Sequence, residues 1–519
     1  MAKSVFWGGL VVGLAWTLFR LFSNEGCILD DEFTHYLISR SVWENPQRLL
    51  DSWARPGRNF IHIWAASFGL TAARIYTLGL AMVGFWITYR IGKRLNLKSL
   101  WALPVLYLFQ AWFPELSYPV LTQTPFLLIW ILGTWLGMRG NWHLAGVCFG
   151  YLSLIRHEGI LLTAIWGLWV TCQPGGLVHS LLHKKGTSAL VSGLRRDALY
   201  GVSTVSAIVV YNLVSKLWVG GKAPFELYFE SKPTEIYGDG PIWHYVPLLL
   251  GGLGLFSFLL SFVGAWAMRK EWRQWSLLLA TYPTYFIMHS LIYWQGAFAS
   301  GGYYHFLMPM LPFFALLGVK AIDFLGGISA KRRVQRVAIL SILILIVYQG
   351  FRMDQRQMSS IDWVGLDHDK QPIGFQFMSD SRNFGVIAGP IKMDRRQATV
   401  GVASDWVNET YPDRIVFASH IVHPIKRDLL QTKERLDLDW SGPENWPVGT
   451  LFIWDEHYSE FHGGMEWESL EKRPNWRMIR AWHRTYPDDS QEGPAGKYLV
   501  AVFEKFEEAP DEVGLPDGM

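Results

Sequence analysis

The stretch that decides the fold runs from Val5 to Trp43, "VFWGGLVVGLAWTLFRLF" (5–22) followed at once by "SNEGCILDDEFTHYLISRSVW" (23–43). The first part is apolar and long enough to cross a bilayer, which takes about 20 residues of helix. The second part carries three consecutive acids, Asp30, Asp31 and Glu32. Lys3 is the sole basic residue ahead of the apolar run, and no small-x-small pattern precedes Cys27, so a retained signal anchor is expected rather than a cleaved leader. Asp30 suits an N-cap, and Phe33, Leu37 and Ile38 follow at helical spacing. Asp31 and His35 share a face of that helix, whereas Glu32 points about 100° away. A capped amphipathic helix explains one acid at its positive end. Three acids beside an apolar wall invite a second, functional reading.

Composition widens the picture. Of 519 residues, 50% are hydrophobic, 15% aromatic and 18% charged, against about 25% charged in an ordinary soluble domain. Tryptophan is abundant, at 27 residues, and Trp and Tyr prefer membrane–water interfaces. Three cysteines, Cys27, Cys148 and Cys172, show neither a disulfide framework nor metal-ligand spacing.

Apolar stretches recur near 5–22, 71–89, 100–113, 119–138, 142–155, 160–172, 199–219, 244–268, 275–294, 304–325 and 335–350. They predict a mostly α, polytopic membrane bundle of about 11 transmembrane helices over residues 1–350. Those near 100–113, 142–155 and 160–172 are short, and are expected to be kinked, tilted or re-entrant. Basic clusters at Arg90–Lys98, Lys184–Arg196, Arg269–Arg273 and Lys331–Arg336 then all fall on the cytoplasmic side. The acidic turn, "FPELSYP", "IRHEG" and the loop 220–243 fall outside. After residue 350 the runs "RIVFASHIV", "TLFIWDEHY" and "KYLVAVFEKF" alternate with helix-like "DWVNETYP" and "EWESLEKRP". This predicts a soluble α/β domain over 351–519 on the outer face.

Several outside positions bear chemistry. "DSWARPGRNFIHIW" (51–64) carries Arg55 and Arg58 against the positive-inside tendency, and Arg74 follows. Guanidinium forks suit phosphate; snorkelling toward headgroups is the plainer account, above all for Arg74. "FPELSYPVLTQTP" (113–125) sets Glu115 between apolar arms, and "LSLIRHEGILL" (152–162) does the same for Arg156, His157 and Glu158, as hairpin loops or as polar groups received by protein. The loop 220–243, with Glu226, Glu230, Glu235 and Asp239 among aromatics, reads as a mobile lid or a solvated connector. "SGGYYHFLMPMLP" (300–312) puts Tyr303, Tyr304 and His305 at the outer mouth of a span, as an aromatic belt or a phosphate or hydroxyl contact. GxxxxGK[ST], HExxH and GxSxG in strand–turn–helix context are missing from the sequence, which disfavours a nucleotide-driven pump and a common hydrolase.

In "LDDEFTHY", "WARPGRNF" and "LSLIRHEG" the chain resembles the polytopic GT-C glycosyltransferases that use lipid-linked sugars, such as protein O-mannosyltransferases, the bacterial aminoarabinose transferase and the glycolipid-anchor mannosyltransferases. Many of these carry an Asp-Glu pair in the first outside loop, matched here by Asp31-Glu32. The anchor enzymes write His-Pro before it, where this chain has Leu29-Asp30. The resemblance implies a bacterial inner-membrane protein whose active site and C-terminal domain face the periplasm. It implies a polyprenyl-phosphate sugar donor, and a lipid, glycan or protein acceptor; nucleic acid is not an expected partner. Asp31 is then the general base, and Glu32 or Glu115 positions the acceptor or an optional divalent metal ion. Arg55, Arg58, Arg156, His157, Glu158, Tyr304 and His305 are the candidates for substrate and phosphate. A transporter or flippase is the alternative, with His289 as the ionisable group placed well inside a span; a non-catalytic scaffold ranks third.

Overall fold

The computed structural model describes residues 2–24, 26–27, 30–51, 53–110, 112–218, 220, 239–297, 302–328, 332–352, 395–426, 445–462, 465–485 and 497–507. Most of loop 220–243, including Glu226, Glu230 and Glu235, lies outside them, as does 353–394. The chain divides into two compact units: Met1–Ser23 with Asn45–Pro390, and Asn24–Glu44 with Ile391–Met519. The acidic segment thus belongs with the C-terminal residues, although it lies near the start of the chain.

The first unit is helical. Among the described residues, five helices are long and apolar enough to cross a membrane: Ala2–Phe22, Leu70–Arg94, Thr187–Trp218, Tyr304–Gly327 and Arg333–Phe351. A sixth is reached if Tyr245–Leu253 and Leu255–Glu271, bent by 109° at Gly254, form one span. Gln123–Met138, Trp142–Ile155 and Gly159–Thr171 are apolar but shorter. This fits a multi-pass membrane protein. The expected helix over 100–113 is instead three pieces, Leu100–Ala102, Leu103–Leu108 and Trp112–Leu116. Pro104 and Pro114, which withhold a backbone donor, stand near the starts of the last two.

Burial ranks the helices. The window within Tyr304–Gly327 is 83% buried, against 17% for Thr187–Trp218 and for Arg333–Phe351. The first is the centre of the unit and the other two are its flanks. Trp130, Tyr282 and Phe313, from three helices, form a continuous stack with ring centroids 4.0 and 5.0 Å apart. Offset aromatic stacks of this kind add to plain area burial.

In the second unit four strands make one sheet: β1 (Val416–Ala418), β2 (Leu451–Asp455), β3 (Trp476–Thr485) and β4 (Lys497–Lys505), in the order β1-β2-β4-β3. β1 and β2 are parallel; β4 runs antiparallel to both neighbours. The three runs expected to be strands are β1, β2 and β4. β3 was not foreseen. Phe452, Trp454, Met465, Leu470, Trp476, Ala501 and Phe503 form the core on the sheet. The acidic helix Asp30–Ser41 lies against Val422–Lys426 within this unit, and Gln397 donates to Cys27 Sγ at 3.0 Å.

Candidate active site

The short helix Pro56–Ala66 carries the first part of the site. Pro56 stands at its opening turn, where the missing N–H costs nothing. Arg55, just before, has φ of 69°, a left-handed conformation that non-glycine residues rarely adopt. Phe60, Trp64 and Phe68 recur at four-residue spacing and are exposed, whereas Arg58, Asn59 and His62 are buried. An aqueous helix would do the reverse. Aromatics outward and polar groups inward fit a helix lying at the lipid headgroup level.

The inward groups meet the bent segment 117–122. Arg58 donates to the Val120 carbonyl at 3.0 Å and to Asn59 Oδ1 at 2.8 Å. Arg74, from the helix Leu70–Arg94, sits over the Tyr118 ring at 6.0 Å. Arg156 donates to Thr122 Oγ1 at 2.8 Å. Three guanidinium groups from three elements therefore gather on five residues, Tyr118 to Thr122. Arg74 is only 5% exposed, so it is held by protein rather than snorkelling to headgroups.

Glu115, at the head of this segment, pairs with Arg20 at 3.1 Å, both buried. Arg156 grips Glu158 through Nε at 3.1 and 3.2 Å and through a terminal nitrogen at 2.5 Å. His157 Nδ1 is 3.7 Å and His289 Nε2 3.5 Å from the same carboxylate. Gly159 makes the turn possible: a Cβ there would fall 2.3 Å from the Leu152 carbonyl carbon.

Phe306 is the second meeting point. The Arg156 guanidinium lies over its ring at 4.7 Å, His289 stacks on it at 5.5 Å and 21°, and His305 meets it edge-on at 4.5 Å. Tyr285 donates its hydroxyl to the Phe306 carbonyl at 2.8 Å. Tyr304 and His305 are buried at the start of the central helix.

Charge is unevenly distributed here. Arg20, Arg58, Arg74 and Arg156 are the buried arginines of the first unit, and Glu115 and Glu158 its buried acids. Arg20 pairs with Glu115 and Arg156 with Glu158, and Asp51 acts on Arg58. Burial lowers Arg58 to about 9, with the nearby Asp51 opposing that shift, so the group stays cationic at neutral pH. Burial pushes His157 down to about 4; Glu158 works against this, Arg55 and Arg156 with it. Burial alone would raise the Glu158 carboxyl, but Arg156 above all holds it well below the usual carboxylate range. His62, pushed to about 3 by burial and by Arg58, is neutral between the Arg58 carbonyl and Thr77 Oγ1. The buried positive charge here is therefore carried by guanidinium groups.

The structure thus brings Arg58, Glu115, Arg156, His157, Glu158, Tyr304 and His305 into one unit with the half-buried Arg55. Asp31 and Glu32 belong to the other unit, where Asp31 is exposed and Glu32 fully buried. Their 100° offset along the helix separates them, so they do not fit as two ligands of one metal ion. No cluster of three or more His, Cys, Asp or Glu side chains suited to a metal is present among the described residues. Arg20, Thr122 and Phe306 escaped the sequence reading. The usable signal for Arg20 was a lone arginine within an apolar span, which calls for an internal partner.

Neither a family model nor a curated protein matches the sequence. Among solved structures, ArnT from Cupriavidus metallidurans in the apo state superposes with a TM-score of 0.60 at 12% identity, covering 95% of this chain and 98% of that one. The same protein bound to undecaprenyl phosphate gives a TM-score of 0.58 at 11% identity, covering 95% and 97%. The chain has the fold of ArnT over nearly its whole length.

Proposed function

We propose that this protein is a membrane glycosyltransferase that moves a sugar from a polyprenyl-phosphate donor to an acceptor hydroxyl at the non-cytoplasmic face. The observation that carries this reading is the convergence of three buried guanidinium groups, Arg58, Arg74 and Arg156, on residues 118–122, with Arg156 also over Phe306. Guanidinium forks match the oxygens of a phosphate in charge and geometry. The aromatic face of the helix Pro56–Ala66 supports a location at headgroup depth. The fold supports it further, since ArnT has been seen with undecaprenyl phosphate.

In the proposed reaction the acceptor O–H attacks the anomeric carbon. Its proton passes to the carboxylate of Asp31, an exposed residue. The bond from the anomeric carbon to the phosphate oxygen breaks with its electron pair staying on oxygen, and the arginines steady the charge that develops there. One attack from the opposite face inverts the anomeric centre. Glu32, buried one residue on, orients the helix that presents Asp31. The bacterial inner membrane and a periplasmic site complete the reading.

Purified protein in nanodiscs, given undecaprenyl-phosphate sugars, tests it. Asp31→Asn is expected to lower transfer on the order of 10²–10⁴-fold with an unchanged melting temperature. Full transfer by that variant, with loss in Glu32→Gln, moves the base by one residue. A transporter draws support from the 109° break at Gly254; substrate-coupled ion flux in proteoliposomes without sugar transfer would establish it instead.

A further inference from the structure

Two buried histidines of the first unit have ring nitrogens that nothing among the described residues satisfies. His289 is 2% exposed and His305 3%. Among the described residues, neither nitrogen of His289, nor Nδ1 of His305, has a hydrogen-bond partner. The 3.5 Å from His289 Nε2 to Glu158 is an ion-pair distance without hydrogen-bond geometry, and Arg156 already takes both oxygens of that carboxylate. Buried polar atoms in folded proteins almost always have a partner, so orphans this close together point to a group that arrives.

The chemistry of the orphans narrows the guest. A neutral imidazole offers one donor and one acceptor, which is what a hydroxyl both accepts and gives. A phosphate offers acceptors, and the neighbouring guanidinium groups answer it better. The rings add flat faces: His305 stacks on Tyr303 at 5.3 Å and 20°, and His289 on Phe306. Apolar ring faces with a few convergent polar groups fit a polyhydroxylated ring of alternating C–H and O–H edges.

We propose that His289 and His305 form a subsite for a sugar ring and discriminate donors by their hydroxyl pattern, beside the guanidinium of Arg156. This rests on the lipid-linked sugar reading given above. Ordered water would satisfy the same atoms but would leave donor discrimination untouched when the rings are changed.

The test measures affinity of the full chain in nanodiscs for undecaprenyl phosphate and for its mannosyl, glucosyl, galactosyl and arabinosyl phosphodiesters. Wild type is expected to prefer at least one glycosylated lipid over the bare phosphate by on the order of tenfold. His289→Phe and His305→Phe should each erase that preference while leaving affinity for the bare phosphate within about twofold. His289→Gln, which keeps a donor and an acceptor, should retain part of it. Phe variants that keep the preference, or a wild type without one, overturn the subsite. A wild type that does not bind bare undecaprenyl phosphate overturns the donor reading itself, and the subsite with it. Should the Phe variants misfold, deoxy donors on wild type give the same answer: one hydroxyl whose removal abolishes the preference supports the subsite, and equal binding of every deoxy form overturns it.

Discussion

At the scale of single residues, the interior of the first unit is a set of charge contacts with different jobs. Arg20 and Glu115 close on one another, so removing one partner takes a buried charge contact from the other. Glu115→Gln is expected to cost about 3–5 kcal/mol in unfolding free energy, and Arg20→Met with Glu115→Leu together clearly less; denaturant titration of both variants checks this. Arg58 instead gives hydrogen bonds to a carbonyl and an amide. Arg58→Ala should weaken donor binding on the order of 10²-fold, with Arg58→Lys recovering little because the fork is lost. Acid should destabilise the protein. The unfolded chain takes up a proton at His157 and His62 near 6.5, whereas the folded values are about 4 and about 3, so the folded state binds fewer protons between those limits. Glu158, held low, adds stability that is present above its ordinary 4.5 and lost as pH falls below it. All three act in one direction. The melting temperature should fall from pH 7 to pH 4, and His157→Asn should flatten that fall. Arg58, Glu115, Arg156 and Glu158 were legible because charge interrupts an apolar pattern there. Arg20 was not, because the length of the run around it hides one arginine. Its partner lies 95 positions away, and spacing in one sequence carries no trace of that contact.

At the scale of elements, periodicity located most helices and missed what tertiary contact decides. β3 reads "WRMIRAWHRT", with arginines at 477, 480 and 484 breaking a strand pattern. It is an edge strand, where charge is tolerated and discourages further pairing, and β4 supplies the ladder that makes it a strand. The run 100–113 is apolar enough for a span, but proline divides it. Helix-to-helix approach also sets strict limits. Gly159→Ala is expected to cost roughly 1–3 kcal/mol, because the new methyl meets backbone that cannot swing aside. Since that turn also holds Arg156 against Glu158, the variant should lose donor affinity along with stability. Comparing its thermal melt with and without undecaprenyl phosphate separates the two losses.

At the scale of the whole molecule, the orientation in the bilayer that the basic residues predict has a simple readout. Cys172 is exposed after the helix Gly159–Thr171, ahead of Lys184 and Lys185. With Cys27 and Cys148 changed to Ser, an impermeant maleimide should label Cys172 in inverted vesicles and leave it unlabelled in intact spheroplasts. The reverse pattern would invert the topology. The multi-pass helical character was legible from apolar runs. The membership of the acidic segment was not, because no local pattern tells a chain which distant sheet a helix will join.

That membership has a consequence for how the protein is made. The helix Asp30–Ser41 leaves the ribosome among the first residues, yet the sheet of its own unit lacks a central strand until Lys497–Lys505 emerges. Throughout synthesis the residue proposed to take the proton waits without its finished support. A premature stop that clips only the final strands should therefore disable chemistry placed near the opposite end of the gene, and quality control would have to sense the damage there.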